Sequence, residues 1–291
     1  MFKIAKVSKS GYYQHFKQTN TKLIKLMNDE EDFERVMMAY QFKGYNKGAR
    51  GIKMTLENQW QTTMNLKKIR RLMKKFGLYC PIRKANPYRR MAKALKTSHV
   101  APNKLERMFK EGKPNQILLT DITYLTYDMN KRAYLSGIKD GVTNEIHAYK
   151  VSKSLGIEFV EKTMDQLYDI TLSPSALINS DQGSHYTSHA FQRCVKELGI
   201  EQSMSRRGNC WDNAPIESFF GHMKDEIDLT NCQSFEDVLI VIDDYMDYYN
   251  NYRYQWNLKR MSPKAYGDML RNKIIKKDSY SLKEQLSIFN N

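Results

Sequence analysis

The chain has 291 residues, 41% of them hydrophobic and 12% aromatic, enough for one large domain or two ordinary ones around a buried core. No run approaches the roughly 20 apolar residues that span a bilayer, and MFKIAKVSKSGYY at the N-terminus carries no apolar signal core, so no membrane or secreted class is expected and the chain is read as cytoplasmic. The net charge of +15 favours a polyanionic partner, and it is unevenly spread: residues 1–110 carry 26 Lys and Arg against 7 Asp and Glu, a net +19, whereas residues 111–291 sum to −4.

In chain order, the basic third reads as helical. Residues 22–40 place Leu23, Leu26, Met27 and Val36 near helical spacing, and a glycine-bearing break follows from Phe42 to Gly51. Between Asn65 and Leu78 the apolar set Leu66, Ile69, Leu72, Met73 and Phe76 makes one face of a helix; Lys67, Lys68, Arg70, Arg71, Lys74 and Lys75 occupy the others, and Gly77 is a stop signal. Basic amphipathic helices joined by a glycine-bearing turn suit a helix-turn-helix reader of double-stranded DNA, with those six cations as phosphate contacts. The organisation expected is a DNA-binding region over 1–85, a basic linker over 86–111, a core over 112–270 and a tail over 271–291.

Beyond residue 112 the pattern changes to β-rich. Residues 116–127, 133–138 and 145–151 read as three strands and 156–168 as a helix. Residues 175–179 form a short strand, 188–198 a helix, 200–205 a strand and 235–249 a core helix. Three strands followed by alternating helix and strand define a mixed α/β core. Cys80, Cys194, Cys210 and Cys232 are too widely spaced for a zinc site and are expected as free thiols, mostly buried.

The acidic residues carry the chemistry. Asp121 interrupts the apolar, β-branched run LLTDITYL, where a buried carboxylate without a partner costs several kcal/mol. Asp181 closes the strand ALINSD just before a turn with Gly183, and Glu217 lies early in a helix that Asn213 can cap and Pro215 can enter. Each taken alone fits a structural role better: an edge-strand Asp in water, a turn-capping Asp, a Glu favoured by the helix dipole. Together they match what hard divalent cations need, carboxylate oxygens shared between two ions that stabilise the attacking and leaving oxygens at phosphorus.

The wording around them is more specific. TDITYL, SDQGSHYTS and SRRGNCWDNAPIESFFGHMKDEI, with 35 residues between Asp181 and Glu217, resemble the D, D, 35, E signature of insertion-sequence transposases. The resemblance is to the second-reading-frame transposase of the IS-three family, whose core is similar to retroviral integrases. Tyr249, Asn250, Asn251, Arg253, Leu258, Ser262, Pro263 and Tyr266 resemble the family's tail motif, and VSKSGYY and IRRLMKKFGL its helix-turn-helix region. Two positions depart from the family pattern: Leu118 where Trp is usual and Asn179 where His is usual.

The resemblance implies a ribonuclease-H-like mixed-sheet core, with Asp121, Asp181 and Glu217 as catalytic acids and as ligands of two magnesium ions, manganese substituting. It implies cleavage and strand transfer at element ends, a homo-oligomer on DNA, and an upstream-frame product or fusion as partner. The non-enzymatic alternative is a DNA-binding regulator with an inactive core. In the family a basic residue at the place of Lys224, two helical turns beyond Glu217, contacts DNA near the scissile phosphate. Arg206 and Arg207 are further candidate phosphate contacts. His185 and His222 fit either DNA contact or a structural role, and Trp211 fits either a core position or base stacking. Asp243, Asp244 and Asp247 are expected on the wet side of the last helix, and residues 271–277 as a solvated basic tail.

Overall fold

The computed structural model describes residues 8–81, 112–128, 130–205 and 213–274. The chain divides into two compact units, with the boundary between Ile82 and Arg83.

The first unit is three helices. α1 runs from Lys9 to Gln41, starting where Ser8 Oγ accepts from Gly11 N at 3.0 Å. It is far longer than the expected helix over residues 22–40: the stretch before Asp29 is exposed, and only the last turns enter the core. A single 3-10 turn (Phe42–Gly44) then reverses the chain, held by the Lys47 ammonium, which donates to the carbonyls of Tyr40, Phe42 and Tyr45. α2 (Ala49–Trp60) falls where the sequence pattern predicts nothing specific. α3 (Leu66–Lys75) is capped by Asn65 Oδ1, which accepts from Lys67 N at 2.8 Å, and Gly77, at φ +69, ends it as expected. Val36, Ala39, Ile52, Leu56, Ile69 and Leu72 fill the space between the helices, and Phe33 stacks on Phe76 at 4.2 Å.

The second unit is a five-stranded mixed sheet in the order β3-β2-β1-β4-β5. β1 (Ile117–Tyr127), β2 (Lys131–Asp140) and β3 (Ile146–Ser152) form an antiparallel meander; β4 (Leu177–Ser180) and β5 (Glu201–Met204) add in parallel on the other side of β1. α4 (Ile157–Asp165) and α5 (His189–Glu197) cover one face, burying Phe159, Val160 and Phe191 against Leu118, Ile138 and Ile178. Residues alternate faces along a strand, so Gly137, next to Ile138, turns to the opposite face, where Phe220 of α6 (Ala214–Glu226) packs. α7 (Phe235–Asn251) packs beside α6, with Tyr249 edge-on to Phe219 at 4.6 Å. The expected strand and helix order is present, with β2 extending beyond the predicted 133–138 in both directions.

A last helix over 263–274 corrects the expectation of a solvated tail from residue 271. Arg271 donates to both oxygens of Glu145, at 2.8 and 3.0 Å, and to Asp268 at 2.8 Å, so a boundary at 270 cuts a helix in mid-course. Residues 275–277, the rest of that basic stretch, lie outside the described residues. Asp243, Asp244 and Asp247 are exposed as expected, and Cys194 and Cys232 are buried free thiols.

Candidate active site

β1 is the sheet's central strand, and the segment Ile117 to Thr120 is buried on both faces. Past that segment, beyond the three residues β1 pairs with β4, the strand opens to solvent on the β4 side and Asp121 meets a cavity. Asp181 follows the last residue of β4. These neighbouring parallel strands thus end their pairing one above the other and deliver both aspartates to a single open cavity of about 230 Å³, lined also by Tyr124, Tyr134, His185 and Tyr186.

The carboxylate of Asp181 is set by its own turn. Gly183 N donates to Asp181 Oδ1 at 2.8 Å, and a Cβ at residue 183 would stand 2.8 Å from that same oxygen. Only glycine lets the backbone wrap so closely without pushing the carboxylate away. Beneath both aspartates lies Tyr186, wholly buried, its hydroxyl 3.3 Å from Thr120 Oγ1. Burial pushes this phenol well up, and the charges of Asp121 and Asp181 push it further, which locates both carboxylates close to one group.

Glu217 occupies the first turn of α6 and is half-buried. Asn213, expected to cap this helix, makes no side-chain cap bond; its backbone sits at φ −130, ψ 14, and its amide Nδ2 instead donates to Thr120 O at 3.1 Å, one residue from Asp121. Lys139, buried on β2, donates its ammonium to Pro215 O at 3.0 Å. The helix start is therefore pinned to both β1 and β2 next to the aspartates. Its other end is pinned too: Glu226, in the last turn, accepts from Arg253 Nε and Nη2 at 2.6–3.1 Å and from Tyr245 OH at 3.0 Å. Asn250 adds to the same support, its side chain bonding Ile146 N and O at 2.9 Å each. Of these supports, the sequence motifs contain Thr120, Asn213, Glu226, Asn250 and Arg253 without assigning them these ties, and Lys139 lies in none of them.

Lys224 lies where the helical register places it, its ammonium 4.4 Å from the centre of the Tyr124 ring. Partial burial lowers its pKa and the charge of Asp121 partly restores it, so the cation stands near that acid. His185 lines the cavity with Nε2 3.1 Å from Leu155 O, a structural tie. His222 is absent from the cavity lining, and burial and the charge of Arg253 lower its pKa. Leu118 and Asn179, the two departures, are buried; Asn179 Nδ2 donates to Ser205 Oγ at 3.0 Å. Arg206, Arg207, Cys210 and Trp211 lie outside the described residues.

Asp121 and Asp181 present hard oxygen donors to an open cavity, the donor set of magnesium or manganese rather than zinc. Among the described residues no group of three or more His, Cys, Asp or Glu stands close enough to hold an ion; the aspartates share the cavity and Glu217 sits on the adjoining helix. The six cations of α3 separate into two sets. Arg71 forks onto Asp29 at 2.7 Å, Lys75 reaches the same carboxylate at 2.8 Å, and Lys68 pairs with Asp32. Lys67, Arg70 and Lys74, at i, i+3 and i+7, share one exposed face.

An open mixed sheet whose central strand and parallel neighbour bring two aspartates to one cavity, with the Glu217 helix docked beside them, is the form of a core of the polynucleotidyl transferase class, and a separate helical unit precedes it. Family models cover the same ground: "Integrase core domain" matches 111–210, a second integrase core model matches 198–263, and "HTH-like domain" matches 27–86. An uncharacterized transposase-like protein of Haemophilus influenzae is 37% identical over 216 residues, 73% of this chain and 97% of its own length. The putative transposase InsK for insertion sequence element IS150 of Escherichia coli is 32% identical, covering 91% of this chain and 92% of its own. A 31 kDa protein of insertion element IS600 from Shigella sonnei is 29% identical over 91% of this chain. The chain belongs to the insertion-sequence transposases of the IS-three family, with an integrase-type DDE core. Among the described residues no helix is long and apolar enough to cross a membrane.

Proposed function

We propose that Asp121, Asp181 and Glu217 are the three catalytic acids of this transposase and that they hold two divalent ions, magnesium with manganese as substitute, at the ends of its insertion sequence. The observation that carries this reading is the shared cavity of Asp121 and Asp181, with the helix of Glu217 tied to the carbonyl of Thr120 beside it. Bound there, the ions would activate the attacking oxygen and stabilise the departing one. The protein's own part is positional. β1 fixes Asp121, the Gly183 amide fixes Asp181, and the two pinned ends of α6 fix Glu217.

Lys224 grips the phosphate next to the scissile one, since seven residues of helix place it about 10 Å along from Glu217. Water attacks phosphorus at the element end and the 3′ oxygen leaves as a hydroxyl; that hydroxyl then attacks a target phosphodiester in line and displaces a second 3′ hydroxyl. No covalent bond to the protein forms. Double-stranded DNA is held by the exposed face of Lys67, Arg70 and Lys74, with Arg206, Arg207 and the basic segment 86–111 as further phosphate contacts, in a homo-oligomer joined by the upstream-frame product.

The test incubates the full chain with labelled duplexes carrying the element's own ends, with and without magnesium. Nicked and joined strands that require the metal support the reading. Specific binding without cleavage in magnesium or manganese leaves a DNA-binding regulator instead.

A further inference from the structure

Tyr124 is 61% exposed although it lies on the central strand, three residues beyond Asp121, and it lines the cavity that holds both aspartates. A single exposed aromatic is ordinary on a protein surface and by itself means nothing. Here two further facts converge on it. The Lys224 ammonium covers the ring at 4.4 Å, and Tyr134 stands directly across the β1–β2 ladder and lines the same cavity. At about 230 Å³ the cavity is smaller than the roughly 300–1,000 Å³ of a typical small-molecule pocket. That size suits one planar group of a polymer whose remainder runs outside.

We propose that Tyr124 is a stacking platform for a single nucleobase, the one attached to the nucleotide at the scissile phosphate, while Lys224 beside it takes the adjoining phosphate. This rests on the reading of Asp121, Asp181 and Glu217 as the acids, and adds to it a ligand class for the rim of the same cavity. The chemistry is complementary: a base offers a π-face to the exposed side of the ring, and the cation is already at hand for the anion one bond further along the strand. Stacking accepts any base, so Tyr124 fixes where the strand lies and not which sequence it carries. A terminal base drawn from the duplex onto the ring would place the phosphate that follows it above the aspartates.

The test couples the ring to the base. The full chain and its Tyr124→Ala and Tyr124→Phe variants are compared on end duplexes in which each of the last few nucleotides is replaced in turn by an abasic one. At one position the abasic change should slow wild-type cleavage about tenfold, the size of one base–aromatic stack. At that position it should slow Tyr124→Ala no further, because the ring it would stack on is already absent. Tyr124→Phe should retain both wild-type rate and wild-type sensitivity, which also excludes a folding defect. Multiplicative effects at every position, or an alanine variant as fast as wild type, overturn the proposal. The acids are checked separately with Asp121→Asn. If that variant is dead while ring and base prove uncoupled, the stacking proposal falls and the site stands. If it cleaves normally while ring and base remain coupled in binding, the acid assignment falls and the platform stands.

Discussion

The core puts its carboxylates to two uses, of which Asp29 and Asp32 of the helical unit show only one. In the helical unit Asp29, though on a helix surface, is only 5% exposed, because Arg71 and Lys75 of α3 close over it; Asp32 is taken by Lys68 and Arg35. In the core, Asp140, Glu145 and Glu226 are likewise closed off by donors, whereas Asp121 and Asp181 face an open cavity. A carboxylate whose neighbours satisfy it holds the fold together; one held in place but turned to solvent space is available for chemistry. The same distinction applies to the cations. Half of the basic residues of α3 are engaged within the unit, so counting charge in the sequence overstates what DNA can meet.

The comparison is tested most severely at the cavity. If these anions serve catalysis and not affinity, as proposed, Asp121→Asn, Asp181→Asn or Glu217→Gln should each lower cleavage on the order of a thousandfold while end binding in a filter or mobility assay stays within a few-fold. A structural carboxylate should behave differently. Arg253→Met, which leaves Glu226 buried and without its cation, should lower the urea-unfolding free energy by about 3–5 kcal/mol, the usual cost of breaking a buried pair from one side. Changing Lys67, Arg70 and Lys74 together to Gln should reduce the slope of log affinity against log salt by nearly three, about 0.9 for each phosphate no longer neutralised. The same change at Lys68, Arg71 and Lys75 should mainly lower the melting temperature of the helical unit.

The smallest effect is in acid. Burial alone would raise the Asp140 carboxyl, but the His147 imidazole, 3.6 Å away, and the hydrogen bonds from the amides of Thr143 and Asn115 outweigh it and hold it below the ordinary range; Arg71 and Lys75 depress Asp29 in the same direction. A folded pKa below the unfolded one gives stability that is present above about pH 4 and lost as pH falls through the folded value. Thermal melts from pH 6 down to pH 2 should therefore show the wild type losing more stability than Asp140→Asn. Parallel curves would remove Asp140 from the acid response.

Much of this was legible in the sequence. The strands of the core showed as alternating or continuous apolar runs, and the candidate acids were picked out by the spacing and wording around Asp121, Asp181 and Glu217. α2 did not show: Ile52, Met54 and Leu56 alternate with Lys53 and Thr55 in the two-residue rhythm of a strand, yet all but Lys53 are buried because the helix is packed on more than one side. The first half of α1 was missed for the opposite reason, since its described side chains are exposed and no buried face marks the helix there. Asn213 has the residue type of a cap, and its role as an anchor depends on Thr120, 93 positions away. Partners chosen across such distances are set by topology, and local periodicity holds no record of them.

The order in which these partners leave the ribosome follows from the same ties. Asp121 and Asp181 are synthesised long before Arg253, and the buried Glu145 meets Arg271 only 126 residues after its own synthesis. At roughly 5–20 residues per second, the nascent core spends several seconds with Glu145 exposed and the last turn of the Glu217 helix without its cation. Message truncated between codons 217 and 253 thus yields a chain that carries Asp121, Asp181 and Glu217 but lacks the cation that holds Glu226 at the far end of the Glu217 helix.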